Sequence, residues 1–103
     1  MKPSATAHIF LDDEGRGWID DTNVKVIEVV LNRFAQGLNP DEIHEHYPHL
    51  SLAQVHAALS YYFDHKIEYD EEMERQRREF EALRAASLDS PIRQKLRTMG
   101  LIP

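Results

Sequence analysis

Histidines and carboxylates are the side chains best able to do chemistry in this 103-residue chain, which has six of the former and eighteen of the latter. His44, His46 and His49 stand closest together. Residues two apart on a helix point about 200° apart, so His44 and His46 cannot grip one metal ion from a shared face. His56 and His65 are nine residues apart and also fall on different faces. Without cysteine or an H-E-x-x-H pattern, no metal or cofactor is expected, and these histidines read as ordinary surface residues. Asp12, Asp13, Glu14, Asp20 and Asp21 cluster in one short segment. A carboxylate pair does acid–base work or holds Mg²⁺ only inside a pocket, and acids in turns are ordinarily just solvated. No Ser-His-Asp order, glycine-rich phosphate loop or nucleophile elbow is present, so the chain does not read as an enzyme.

The elements that position these residues must fit one small domain. Hydrophobic residues make up 42% of the chain, enough for a modest core that an oligomer or partner would help to complete. The absence of cysteine excludes disulfides and gives no sign of an oxidising compartment. MKPSATAHIF holds no apolar run long enough for a signal peptide or a membrane span, so a cytoplasmic protein without membrane contact is expected.

Residues 1–6 read as a loose start. I-F-L and W-I, separated by D-D-E-G-R-G, suggest a small hairpin that must lean on something else. Val26, Ile27, Val30, Leu31 and Phe34 then share a helical stripe over about 24–36, and Gly37 stops it. Leu38-Asn39-Pro40-Asp41-Glu42-Ile43 reads as a helix start. Asn39 is the N-cap, Pro40 is N1, Glu42 closes a capping box and Leu38 staples to Ile43. Pro48 limits this helix to about two turns, 40–47. Leu50-Ser51-Leu52-Ala53-Gln54-Val55 repeats the same arrangement for a helix over 51–65, with Leu52, Val55, Leu59 and Tyr62 as its buried stripe. A break near 64–67 precedes a mostly polar helix from about Lys66 to Ala86, with a thin seam of Tyr69, Met73, Phe80 and Leu83. Ser90-Pro91 starts a last short helix, which Gly100 ends.

Three helices with a tight corner between the second and third suggest a helix-turn-helix. Its third helix would turn Ala53, Gln54, His56, Ala57, Ser60 and Tyr61 outward. Ser51, Ala53, Gln54, Ala57 and Ser60 are the candidate DNA contacts. Gln54 and Ser60 can hydrogen-bond bases, and an alanine can meet a thymine methyl. Against this, the helix carries no Arg or Lys before Lys66, and Gln54 belongs to its capping box. Packing against a second copy or another protein explains the same small residues.

Charge divides the chain. Residues 1–72 hold 14 of the 18 acids and 5 of the 12 bases, whereas 73–103 hold 4 acids and 7 bases. A net charge of -6 disfavours nonspecific nucleic-acid binding. The basic tail could touch phosphate or balance its own glutamates. The apolar positions Met73, Phe80, Leu83, Ile92, Leu96 and Met99 favour docking on protein, and they are the candidate partner contacts.

W-I-x-x-T-x-V-x-V, G-x-x-x-x-E-I-x-x-x-Y-P-x-L and V-x-A-A-L-x-Y-Y, spread over about residues 8–70, resemble the bacterial domain of unknown function 433. The resemblance implies a homeodomain-like or winged-helix helix-turn-helix. It also implies an antitoxin that neutralises a PIN-like ribonuclease toxin and represses its own operon. Where that family usually has Gly-Thr-Arg, this chain has Asp21-Thr22-Asn23, which removes an arginine and adds an acid. The expectation is therefore a mainly α protein. A β-hairpin and tri-helical helix-turn-helix occupy 1–65, and a C-terminal helical arm occupies 66–103. It would act as a homodimeric antitoxin-like regulator that binds operator DNA and clamps a toxin through its arm. The alternative is an interaction or dimerisation module without DNA binding.

Overall fold

The computed structural model describes residues 1–88 and 98–100. Those residues form three short strands, β1 (Lys2–Pro3), β2 (Ile9–Leu11) and β3 (Gly17–Ile19), followed by four helices, α1 (Val26–Phe34), α2 (Pro40–His46), α3 (Leu52–Asp64) and α4 (Lys66–Leu88). The protein is mixed but mostly helical. Contacts group Met1–Tyr69 into one compact unit, and a second begins at Asp70. Among the described residues no helix is long and apolar enough to cross a membrane.

The first unit opens on an antiparallel sheet of order β1-β2-β3, with Pro3 opposite Phe10 and Phe10 opposite Trp18. The expected hairpin is β2–β3. Gly15 N donates to Asp12 O at 3.0 Å, and Gly15 takes φ +79°. This left-handed residue closes a three-residue loop in a way that glycine does without strain. The loose start is corrected to a third strand. Ser4 organises it: its Oγ donates to Ile9 O at 2.8 Å, and its N–H donates to the same carbonyl at 3.0 Å. Pro3 fits there because β1 is an edge strand.

Both capping boxes form. Asn39 Oδ1 accepts from Glu42 N at 2.9 Å, and Glu42 Oε1 accepts from Asn39 N at 3.0 Å. Ser51 Oγ accepts from Gln54 N at 3.1 Å, and Gln54 Oε1 accepts from Ser51 N at 2.8 Å. Each cap is worth about 1 kcal/mol. The corner between them is the turn Tyr47–Leu50, closed by Leu50 N donating to Tyr47 O at 2.9 Å, with Pro48 in the second position that its fixed φ suits. His44 Nδ1 donates to Leu50 O across this corner, so its ring is a strut. The break between α3 and α4 falls at His65. Its ring Nδ1 donates to Tyr61 O at 2.9 Å, inserting a side chain into the helical ladder.

α1, α2 and α3 pack on one another, and the sheet packs on α1 and α3. Ile9, Ile19, Val26, Val29, Val30, Ile43, Leu50 and Val55 are fully buried. Two stripes need correction. On α1 the buried line runs through Val29 and Asn32, while Phe34 is 45% exposed at the helix end. On α3 Leu52 is 40% exposed, whereas Ala58 and Tyr61 are buried. α3 is covered from two sides, by α1 and α2 and also by the sheet, so its buried arc is wider and rotated from one simple stripe. Asn32 Nδ2 donates to Glu28 O at 2.7 Å and to Tyr47 Oη at 3.2 Å, while its buried Oδ1 has no protein partner.

Candidate functional site

The α2–α3 corner and the free face of α3 hold the residues expected to meet DNA. Ser51, Ala53 and Ser60 are exposed, and Ala57 is half-buried. Ala53, Ala57 and Ser60 lie on one line of the helix by their spacing. Gln54 does not join them. Its Nε2 donates to Asp20 O at 3.0 Å and to Asp20 Oδ1 at 2.9 Å, while its Oε1 serves the Ser51 cap. A glutamine amide has two N–H donors, and both are spent here on Asp20. Reading adenine through a donor and an acceptor would require release from that clasp. Tyr61, expected on the outward face, is buried instead.

Asp20 is the centre of this clasp. Its Oδ2 accepts from His8 Nδ1 at 3.0 Å, and its backbone N–H donates to His8 O at 2.8 Å. Gln54 first, and His8 second, hold its carboxyl below the usual carboxylate range. The end of β3, the loop before β2 and the first turn of α3 are thus joined at one carboxylate. His8 and Asp21 take positive φ to make this approach, at +69° and +54°.

Asp12 does comparable work in the hairpin. Its Oδ1 accepts from the backbone N–H groups of Glu14 and Arg16, each at 2.9 Å. Its Oδ2 accepts from Trp18 Nε1 and Arg16 Nε, each also at 2.9 Å. The indole, and then the arginine and backbone donors, hold Asp12 far below the usual carboxylate range. Four donors leave this group little capacity for proton transfer or for an ion. Beside Asp20 lies an open groove of about 410 Å³ bordered by Phe10, Trp18, Asp20 and Asp21, and Asp12 is not part of its lining. Among the described residues no three His, Asp or Glu side chains come together as a metal site would require.

A tyrosine cluster went unforeseen. Tyr61 stacks on His65 with centroids 4.1 Å apart, and Tyr69 meets Tyr61 and Tyr62 edge-on at 6.0 and 6.1 Å. Burial, then the charge of neighbouring Tyr61 and Glu68, raises the Tyr69 phenol. Gly17 makes room for the cluster, because a Cβ there would lie 3.1 Å from Tyr69 Oη and from Val26 Cγ2. The sequence sets Tyr62 in a buried stripe and Tyr69 in a separate seam without joining them, and the second glycine of the hairpin spacer, which makes room for them, belongs to β3 and not to the turn.

With the hairpin, the two capped helices and the tyrosine pair in place, residues 14–62 match the family model described as protein of unknown function (DUF433). This segment is a DUF433 domain. The match starts in the β2–β3 turn and ends at Tyr62, so the DUF433 segment holds Gly17, Asp20, both capping boxes and the corner. No curated protein and no solved structure matches the chain.

The arm lies beyond the DUF433 match. In α4, Phe80 and Leu83 are 67% and 71% exposed, and Met73 is half-buried. Met99 is exposed, while Ile92 and Leu96 lie outside the described residues, as does the start of the expected last helix. Arg75, Arg77 and Arg78 of α4 are engaged along their own helix. Arg77 bonds Glu74 and Glu81, both at 2.6 Å, and Arg75 pairs with Glu72. Such exposed i,i+3 and i,i+4 pairs stabilise a helix by only a few tenths of a kcal/mol each and are easily exchanged.

Proposed function

We propose that this chain is an antitoxin-like regulator with a homodimeric helix-turn-helix body and an arm that binds and neutralises a protein of the PIN-like ribonuclease class. The observation that carries this reading is α4, a long and mostly polar helix whose apolar positions Phe80 and Leu83 stay open to water. Exposed apolar residues on a mostly polar helix support a contact with another protein. The mutually packed α1, α2 and α3, with two capped starts around a four-residue corner, support the homeodomain-like or winged-helix class. Operator binding would use Ser51, Ala53, Ala57 and Ser60, with Gln54 freed from Asp20.

A second reading, an interaction module that does not bind DNA, is favoured by one specific observation. Gln54 spends both donors on Asp20, and α3 contains no Arg or Lys. Co-expression with the product of the adjacent gene, followed by a mobility-shift assay on the upstream DNA, tests both. The regulator reading expects one complex that retards the DNA and silences the partner's nuclease activity. A complex without retardation selects the second reading. Neither complex nor retardation in any combination sinks the regulator.

A further inference from the structure

Over two heptads α4 carries a pattern whose charges suit a second copy of itself. From Met73 the seam runs Met73, Gln76, Phe80, Leu83 in alternating steps of three and four, the a and d positions of a two-stranded coiled coil. Arg77 and Arg84 flank this seam on one side, at e. Glu72 and Glu79 flank it on the other, at g. In a parallel, in-register pair a g residue meets the e residue five positions later on the second helix. That rule sets Glu72 against Arg77 and Glu79 against Arg84 of the second copy, so both crossings are opposite in charge. An antiparallel pair sets g against g and e against e, which opposes glutamate to glutamate and arginine to arginine.

We propose that α4, from Met73 onward, pairs with the same segment of a second copy as a parallel, in-register coiled coil. The exposure of Phe80 and Leu83 leaves the seam open for it. The intrahelical partners of Arg77 and Glu72 are surface ion pairs that yield at little cost. Gln76, half-buried and donating to Glu72 Oε1 at 3.0 Å in the single chain, is the one polar residue among the four seam positions from Met73 to Leu83. A polar residue in the seam weakens a coiled coil. This deepens the homodimer part of the reading above and rests on no DNA or toxin contact; it gives Phe80 and Leu83 to the second copy, so a toxin would meet the outer face of the paired arms.

The chain has no cysteine, so single substitutions report the geometry cleanly. Gln76→Cys and Leu83→Cys, each in the full chain, should both give disulfide-linked homodimers on mild oxidation. An antiparallel pair can do so at one of the two positions at most. Sedimentation of the wild-type chain over a roughly hundredfold concentration range should show mass rising from one chain towards two. Gln76→Leu should tighten association about tenfold. Glu79→Arg should weaken it, and adding Arg84→Glu to the same chain should restore it. A chain that stays monomeric throughout, or that links at only one cysteine position, overturns the proposal, as does Glu79→Arg tightening the pair. A monomer that nevertheless co-purifies with the adjacent gene's product leaves the regulator standing and removes this pairing alone.

Discussion

Gln54 shows how a single side chain can be fully consumed by a fold. Its oxygen closes a helix cap, and its nitrogen ties that helix to Asp20. Gln54→Ala removes one half of the cap and leaves Asp20 with His8 alone. The expected cost is about 1–3 kcal/mol, read from the midpoint of urea unfolding. The two tied carboxylates also set a pH dependence. Asp12 and Asp20 are both lowered from the ordinary value of 3.8, so the unfolded chain takes up protons at higher pH than the native one. Their contribution is complete above that value and is lost as pH falls through it towards the lowered native values. Thermal melts from about pH 6 down to about pH 2 should show a falling acid limb, shallower in Asp12→Asn.

At the scale of elements, the decisive contact joins β3 to the first turn of α4. Gly17 faces Tyr69 Oη and Val26 Cγ2, and Tyr61 lies just beyond them. Tyr69 is the end of a flexible side chain and can shift, but Val26 is β-branched and fully buried. Gly17→Ala is expected to cost about 1–3 kcal/mol through overpacking. Gly17→Val should cost more and loosen the tyrosine cluster, seen as a change in near-ultraviolet circular dichroism larger than that of Gly15→Ala. At Gly15 a Cβ meets nothing within 4 Å, so only backbone strain opposes the change.

For the whole molecule, every fully buried hydrophobic side chain among the described residues lies between Ile9 and Tyr62. The unit that ends at Tyr69 therefore holds its own core. A chain shortened to residues 1–72 should unfold cooperatively with a melting temperature within a few degrees of the full chain. It should also stay monomeric at concentrations where the full chain associates, which circular dichroism and sedimentation together would check. Melting far below the full chain would show that the arm supports the body.

The sequence by itself determined the features that depend on neighbours three or four residues apart. The two capping boxes, the Pro48 corner, a break near 64–67 and a glycine-bearing hairpin turn each follow from local donors, acceptors, backbone limits and the phase of the apolar stripe. The family pattern over the body was legible for the same reason, because its glycine, proline and capping residues have local duties. Only the tertiary structure decided which side of α3 is hidden. Tyr61 is buried and Leu52 is not, because the sheet covers an arc of α3 that no single stripe foretells. Likewise nothing near Gln54 announces Asp20, thirty-four residues earlier, since a polar pair so far apart in the chain forms only after hydrophobic packing has brought its two segments together.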